Sequence, residues 1–330
     1  MNKEINKWQV RTDLAYDVAC EYAHEQIKGL LEETNIINGI KVVKNIIDEE
    51  ASSKINKSPG IYYMIDLDKI NYHDQLTGEK IEKTLSEVMR KLLEKYNLIG
   101  KKCLIVGLGN ENVTPDAIGP YVVDNIVVTR HLEIMKQLHD GYSIVSALSP
   151  GVMGTTGIET YDVIEAVRNK IDVDYIIVVD ALASSSISRV NRTIQITDSG
   201  IAPGSGVGNK RKEISYKTMN IPVFAIGIPT VVDAVSIVSD TLKYSLKYLD
   251  NQVKKEHVEL EEKNISETFF GKIGKLEEEE QRNFFTEVLT PNGYNLMVTS
   301  KDIDLEVEDL SKIVAWGINK ALHDSINANI

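Results

Sequence analysis

Two aspartates, Asp116 and Asp180, are the residues of this chain whose type and placement could support hydrolytic chemistry. Asp116 lies in a polar loop beyond a short apolar run, Cys103–Val106, and Asp180 directly follows a second run, Tyr175–Val179. Such runs are typical of strands buried in a parallel sheet, whose ligands bind beyond the carboxyl ends of the strands. Two carboxylates that meet there can share a proton, so that one activates a water while the other acts as an acid.

Two other interpretations apply to the region of Asp116. Aspartate is a favoured helix N-cap, and Asp116 stands just before an apolar stretch, so its role could be structural. The preceding letters GLGNEN resemble the start of a dinucleotide-binding fingerprint. Asn112 occupies the place of the third glycine, however, and this disfavours a nucleotide site.

The loop at 149–157, SPGVMGTTG, joins a predicted strand to a predicted helix. Thr156 and Glu159 have the spacing of a capping box, which would give both residues a structural role. In the functional alternative, main-chain N–H groups at this helix start bind an anion or a substrate carbonyl. Thr155, Thr156 and Gly157 are therefore candidate substrate-binding positions.

Other kinds of active site are disfavoured by the remaining residues. The six histidines form no H-E-x-x-H motif, and no cluster of nitrogen and sulfur ligands suggests a zinc site. The chain has no G-x-S-x-G nucleophile elbow. Cys103 lies within a predicted strand without a neighbouring base, so it is a weak candidate nucleophile. We therefore predict neither a metal nor a cofactor, and the two aspartates remain.

Composition and charge limit the partners that the chain can have. A net charge of -12 over 330 residues, with no long basic run, disfavours direct binding of nucleic acid. No apolar run approaches the length of a membrane span, and the N-terminus MNKEINKWQV lacks the apolar core of a secretory signal. Two cysteines far apart in sequence fit a reducing compartment. We expect a cytoplasmic protein that binds neither nucleic acid nor a membrane.

Alternating strands and helices would position the two aspartates. Predicted central strands lie near Cys103–Val106, Ser143–Ala147, Tyr175–Val179 and Val223–Ile226, with helices near Tyr121–Leu138 and Thr160–Lys170 between them. This alternation predicts an α/β fold, a mostly parallel twisted sheet with helices on both faces. Added elements precede and follow it: helical patterns at 14–31, 81–96 and 305–322, strands at 39–47 and 61–65, and a charged insertion or linker at 253–281.

Five ordered blocks of the sequence resemble the germination protease family of spore-forming bacteria. They are VRTDLAYD (Val10–Asp17), GLGNENVTPDAIGP (Gly107–Pro120), LSPGVMGTTGIET (Leu148–Thr160), IIVVDALASSS (Ile176–Ser186) and SGIAPGSGVGNKR (Ser199–Arg211). The resemblance implies an endopeptidase that degrades small acid-soluble spore proteins during germination. It also implies a tetrameric zymogen, activated by removal of a short N-terminal segment, in the cytoplasm of the forespore and the spore core.

The implied fold is similar to that of the hydrogenase maturation endopeptidases, which bind a metal through two acids and a histidine. Asp116 and Asp180 match the two acids, and no histidine of this chain matches the third ligand. The resemblance therefore supports a metal-free pair, in the manner of an atypical aspartic protease, and leaves open which aspartate holds the proton. A metal-dependent maturation endopeptidase is the alternative function, and a non-enzymatic nucleotide-binding module is the third.

The N-terminal segment 1–13 is predicted to be a propeptide, and 14–330 a single α/β protease domain. Thr12-Asp13-Leu14-Ala15 resembles the cut that the family prefers in its substrates, a glutamate before an apolar residue and alanine. The pattern also changes there, from an arm without a clear period to a helical pattern that begins at Leu14, and loose arms are cleaved readily. We expect autoprocessing between Asp13 and Leu14, triggered by falling pH. In the alternative, Asp13 caps the helix.

Overall fold

The computed structural model of the protein describes residues 27–55, 57–204, 211–255, 270–290 and 296–328. The strands in these ranges are β1 (Leu30–Ile37), β2 (Ile40–Ile47), β3 (Gly60–Asp66), β4 (Cys103–Gly107), β5 (Val145–Leu148), β6 (Tyr175–Ser184), β7 (Thr193–Thr197), β8 (Val223–Asp233) and β9 (Met297–Val298). The helices are α1 (Glu49–Ile55), α2 (Gln75–Lys95), α3 (Ile118–Asp124), α4 (Arg130–Ile134), α5 (Met153–Thr156), α6 (Thr160–Ile171), α7 (Tyr216–Met219), α8 (Ala234–Lys255), α9 (Glu278–Leu289), α10 (Ile303–Leu322) and α11 (Asp324–Ala328).

The described strands form one mixed sheet in the order β1-β2-β3-β7-β8-β6-β4-β5, and β9 pairs with β8. The central part, β5-β4-β6-β8, is parallel. The pairs β1–β2, β2–β3, β3–β7 and β7–β8 are antiparallel. The predicted α/β class is confirmed, and the parallel pattern holds for the centre of the sheet. A tight turn between β1 and β2 and a short helical connection between β2 and β3 bring these three strands together in antiparallel order.

Alternate residues of the central strands face two separate cores, because side chains along a strand point to opposite sides of the sheet. On one side, β4 and β6 pack against the apolar faces of α2, α3 and α10, in a cluster that includes Ile105, Ile177, Leu85 and Val314. On the other side, Leu104 and its neighbours pack against α6 and the segment around α7. The centre of the sheet is thus covered on both faces, as its continuous apolar strands predict.

The helix predicted over 14–31 is wrong in the part that the structure describes, from residue 27 onward. Leu30 and Leu31 belong to β1, in which Leu30 pairs with Ile47. Asn38 and Gly39 both have positive φ, at 50° and 81°, and this is the backbone that a two-residue hairpin turn requires. The turn pairs β1 with β2, and this pairing overrides the helical spacing of the two leucines. The rest of that pattern, together with the proposed cut between Asp13 and Leu14, lies outside the described residues.

The helix predicted over Tyr121–Leu138 is divided into α3 and α4. The side-chain amide of Asn125 donates to the carbonyl of Tyr121, and Asn319 of α10 bridges this break by accepting from the N–H of Val127 and donating to the carbonyl of Asn125. These side chains satisfy main-chain groups that a continuous helix would have paired. None of the helices in the described part of the chain combines the length and the apolar character needed to cross a membrane.

Candidate active site

The two aspartates follow adjacent parallel strands. Gly107, the last residue of β4, pairs with Val179 of β6, and the N–H of Leu108 donates to the carbonyl of Val179 at 2.8 Å. Asp180 is the residue of β6 that follows Val179, so it lies level with the end of β4. The chain leaves β4, passes through a loop and returns in a short 3-10 turn, Thr114–Asp116, which carries the second aspartate.

Two glycines allow this loop to fold back tightly on the strand end. Gly109 has a φ of +115°, and a Cβ there would lie 1.9 Å from the main-chain oxygen of Asp116. At Gly119, at the start of α3, a Cβ would lie 2.1 Å from the carbonyl oxygen of Leu108. Because real Cβ atoms do not approach so closely, the position of Asp116 depends on residues without a side chain.

Asp116 is partly buried and is held through its main chain and its carboxylate. The N–H of Asn110 donates to both the Asp116 carbonyl oxygen, at 3.1 Å, and the carboxylate oxygen Oδ2, at 2.9 Å. Burial raises the pKa of the Asp116 carboxyl above its ordinary value, while this hydrogen bond and the positive charge of Arg211 lower it to a smaller extent. Asp116 is thus more easily protonated than an exposed aspartate, as one member of an acid–base pair must be.

Asp180 is only 6% exposed, and its Oδ1 accepts a hydrogen bond from the N–H of Ala181 at 3.0 Å. Beyond it, β6 continues to Ser184, where it pairs with β8 and no longer with β4. The register between β6 and β8 shifts between Leu182 and Ala183. This overhanging end of β6, Ala181–Ser184, contributes three residues to the surface of a cleft.

Both aspartates line the same cleft, which has a volume of about 420 Å³. This lies within the usual range of small-molecule and peptide side-chain sites. The described lining is mostly apolar or main chain apart from the two acids, Arg211 and three threonines. It comprises Leu108, Gly109, Val113, Pro115, Asp116, Gly151, Val152, Thr160, Asp180, Ala181, Leu182, Ala183, Pro203, Gly204, Arg211, Thr230, Val231, Met297 and Thr299.

One wall of the cleft comes from the C-terminal part of the chain. Met297 lies in β9, and the hydroxyl of Thr299 donates to the carbonyl of Thr230 at 2.7 Å. The hydroxyl of Thr230 donates in turn to the carbonyl of Pro115 at 2.6 Å. A chain of short hydrogen bonds therefore joins this wall to the turn that carries Asp116.

The next residue of this wall, Ser300, is anchored to the buried carboxylate of Glu306 in α10. Ser300 donates its hydroxyl to Glu306, and the side-chain amide of Asn191 donates to the same carboxylate oxygen at 2.5 Å. Glu306 is 8% exposed. A buried carboxylate with two donors holds its neighbours firmly, because releasing either donor would leave buried charge without a partner.

The candidate substrate-binding residues Thr155, Thr156 and Gly157 lie outside the described lining. Thr156 ends the short helix α5, whose C-cap is Gly157 at a φ of +70°, and the cap position before α6 belongs to Glu159, which makes no capping bond with its side chain. The predicted capping box of Thr156 and Glu159 is therefore wrong. The left-handed Gly157 ends one helix before the next begins, and the Thr156 hydroxyl instead accepts from the N–H of Ile158. From this loop, Gly151, Val152 and Thr160 are the residues that reach the cleft.

Arg211 is a cleft residue that the sequence analysis did not single out. The residue is partly buried, and its positive charge acts on Asp116. The only sequence signal was the position of Arg211 at the end of a glycine-rich loop, which by itself indicates no site. Its place in the cleft depends on contacts between distant parts of the chain.

The residues of the cleft do not fit the metal centre of two acids and a histidine. No histidine occurs in the described lining, and a guanidinium lies near the acids instead. Elsewhere in the described ranges, no three His, Cys, Asp or Glu side chains come together as metal ligands. We therefore derive no chemical step through a metal.

Comparison with known proteins identifies the family. The model of a family described as germination protease matches residues 9–260 and 253–330. The germination protease of Bacillus mycoides (strain KBAB4) is 44% identical over 98% of this chain and 96% of its own length. That of Geobacillus sp. (strain WCH70) is 43% identical over 99% and 98%.

A search of solved structures finds a NiFe hydrogenase maturation protease from Thermococcus kodakarensis KOD1, 17% identical, over 43% of this chain and 80% of that chain, with a TM-score of 0.29. The sequence matches, in contrast, extend over almost the whole chain at well above 30% identity. The chain therefore belongs to the germination protease family and is a peptidase.

Proposed function

We propose that this peptidase is an aspartic-type endopeptidase in which Asp116 and Asp180 act as an acid–base pair on a water molecule. The observation that carries the proposal is that both carboxylates, from adjacent strand ends, line one cleft of about 420 Å³. Neither role requires a metal or a cofactor. Asp180 lies in a paired strand, and Asp116 lies in a loop whose close packing requires Gly109 and Gly119. Both carboxylates would therefore be held in place before a substrate binds.

In this mechanism one carboxyl is ionised and the other is protonated. The ionised group removes a proton from the water, whose oxygen attacks the carbonyl carbon of the scissile peptide bond, while the protonated group donates its proton to the carbonyl oxygen. When the tetrahedral intermediate collapses, the C–N bond breaks and the amine leaves with the proton that the base took from water. One hydroxyl of the intermediate returns its proton to the carboxylate that had acted as the acid, and the C=O bond of the product forms. The two carboxyls end with one proton between them, so the cycle is balanced.

Two features support a shared proton. Like charges in one cleft oppose a second ionisation, and burial raises the pKa of Asp116. In this proposal the two carboxyls hold one proton between them, and either aspartate can be the one that begins the reaction as the base.

The substrates we propose are small acid-soluble spore proteins, degraded during germination. Support comes from membership of the germination protease family and from the five sequence blocks that resemble it. We further propose that the protein is a homotetrameric zymogen in the cytoplasm of the forespore and spore core, with 1–13 as its propeptide. In this proposal 14–330 is one α/β protease domain, and the charged segment 253–281 is an insertion or linker within it.

The test is incubation of the purified protein with a small acid-soluble spore protein, with and without a strong chelator, and Asp180→Asn as the matched control. We expect cleavage by the wild type that chelation leaves unchanged and that the variant lacks. Loss of activity on chelation, with recovery on adding zinc or nickel, would favour the metal-dependent alternative. The absence of any cleavage by the wild type at mildly acidic or neutral pH would contradict the proposed substrate.

Self-processing can be followed in the same samples by mass spectrometry of the intact chain. At mildly acidic pH we expect loss of residues 1–13 in the wild type and none in Asp180→Asn. Cleavage at another position, or equal cleavage in the variant, would contradict autoprocessing between Asp13 and Leu14.

A further inference from the structure

Arg211 is the one cationic residue in the described lining of the cleft. Within the described part of the chain, its guanidinium forms no hydrogen bond and no ion pair, although the residue as a whole is partly buried. It is close enough to Asp116 to lower the pKa of that carboxyl, but the two do not pair. A partly desolvated guanidinium without a partner is costly unless an anion binds to it, and carboxylates match its fork of donors.

The residues after Arg211 are anchored, so its place at the cleft is fixed by structure. The ammonium of Lys212 lies 3.4 Å from the ring centroid of Tyr161, a close cation–π contact. Tyr161 is itself buried, and its hydroxyl lies 2.9 Å from the carboxylate of Glu165 and 2.8 Å from the carbonyl oxygen of Thr218, either of which can accept its hydrogen. Ile214 and Ile201 exchange two main-chain hydrogen bonds, at 2.8 and 3.0 Å. Contacts with α6 and with residue 201 therefore hold the segment from Arg211 to Ile214.

The charges in the cleft indicate what Arg211 selects. Two aspartates alone would attract a basic substrate residue and repel an acidic one. A guanidinium held beside them offsets that repulsion at one position and provides a geometric partner for a carboxylate. A neutral residue would leave the guanidinium desolvated and unpaired, so an acidic residue is preferred over an isosteric amide.

We propose that Arg211 is a specificity-determining residue, which binds the side-chain carboxylate of an acidic substrate residue near the bond that is cleaved. This inference rests on the proposed endopeptidase function. Arg211 acts on substrate binding and takes no part in proton transfer.

The test is cleavage-site profiling with a peptide library derived from a digested proteome, using the wild type, Arg211→Gln, Arg211→Lys and Arg211→Glu. Selected peptides are then synthesised in matched pairs that differ by Glu or Gln at the preferred acidic position. For the wild type we expect acidic residues to be enriched at one position beside the cut. For Arg211→Gln we expect kcat/KM on the Glu peptide, relative to its Gln partner, to fall by about 10- to 100-fold.

Two variants sharpen the result. Arg211→Glu should shift the preference at that position toward Lys. Arg211→Lys should retain a weaker preference for acidic residues, because the ammonium keeps the positive charge but cannot form the two parallel hydrogen bonds of a guanidinium. Lys170→Gln, which removes an exposed charge far along α6 from the cleft residue Thr160, is the matched control and should leave the profile unchanged. Thermal unfolding of each variant verifies that it is folded.

An unchanged ratio of Glu to Gln peptides in a folded Arg211→Gln variant would overturn the proposal. A shift of the pH profile at an unchanged ratio would also overturn it, because Arg211 would then act only on the pKa of Asp116. Failure of the underlying function gives a different result: the wild type would cleave no peptide, or Asp180→Asn would cleave as well as the wild type.

Discussion

Two aspartates beyond strands of the same sheet, Asp198 and Asp116, have very different surroundings. Asp198 follows β7, and its side chain accepts hydrogen bonds from the N–H of Ile61 at 2.7 Å, from the ammonium of Lys95 at 2.9 Å and from the hydroxyl of Tyr96 at 2.9 Å. Asp116 accepts one hydrogen bond on its carboxylate, from the N–H of Asn110, and its Oδ1 has no donor within the described ranges. Asp198 forms an ion pair with Lys95, whereas Arg211 acts on Asp116 without forming an ion pair with it.

The difference separates a structural carboxylate from a reactive one. Three donors, one of them the ammonium of Lys95, occupy both carboxylate oxygens of Asp198. Around Asp116, burial disfavours the charge, and one carboxylate oxygen has no donor among the residues that the structure describes. We take this contrast as the physical criterion for the site, because both residues are aspartates beyond a strand and sequence position does not distinguish them.

The largest expected effect concerns activity. Asp116→Asn and Asp180→Asn should each lower kcat/KM on a protein substrate by at least about 10³-fold, because an amide can neither accept the proton of water nor donate one as an acid. Asp198→Asn should keep nearly full activity and lose stability instead. Enzyme assays combined with thermal unfolding measure both. A folded Asp116→Asn or Asp180→Asn variant with near wild-type turnover would remove that residue from the mechanism.

An intermediate effect, on both stability and activity, is expected from replacing Gly109, which packs directly against the main chain of Asp116. Gly109→Ala places a Cβ against the main-chain oxygen of Asp116, whereas Gly100→Ala has nothing within 4 Å, and both glycines have positive φ. We expect Gly100→Ala to lower the free energy of unfolding by about 1 kcal/mol, from backbone strain alone. Gly109→Ala should lower the free energy of unfolding by about 1–3 kcal/mol more than Gly100→Ala does, because its Cβ overpacks the loop, and it should also reduce activity. Equal losses of stability and full activity in both variants would show that the close approach is unimportant.

The smallest expected effect is on stability as a function of pH. Because burial raises the pKa of Asp116, its ionisation opposes folding, and the wild type loses stability as pH rises from the usual aspartate range through the raised pKa. Asp116→Asn lacks this penalty, so its Tm should exceed that of the wild type by about 1–2 °C at pH 7 and match it near pH 3. Asp198→Asn should lower Tm at pH 7. A difference for Asp116→Asn that is independent of pH, or of the opposite sign, would contradict the burial argument.

The sequence predicts the centre of the fold well because the central strands are continuous apolar runs. Cys103–Val106 and Tyr175–Val179 are buried on both faces, as continuous apolar runs of this length predict. Because these strands are parallel, Asp180 is expected at the carboxyl ends of the central strands, and this expectation needs no knowledge of distant contacts. The same reasoning carried the prediction for Asp116, although the turn that returns it to the cleft depends on Gly109.

The sequence does not predict features that depend on long-range contacts or on backbone handedness. Leu30 and Leu31 fit a helical spacing, but the hairpin turn at Asn38 and Gly39 pairs them with β2. Thr156 has capping spacing to Glu159, yet the left-handed Gly157 separates the two helices. The segment of Arg211 is held by the contact of Lys212 with Tyr161 and by the pairing of Ile214 with Ile201, and no local pattern encodes these contacts.

The C-terminal wall of the cleft gives the order of synthesis a role in activity. Asp116 and Asp180 are made early, but Met297 and Thr299 leave the ribosome near the end of translation, because chains are built from the N-terminus. The anchor of that wall, Glu306, is made later still. A chain still being translated therefore carries both aspartates in a cleft that lacks its C-terminal wall.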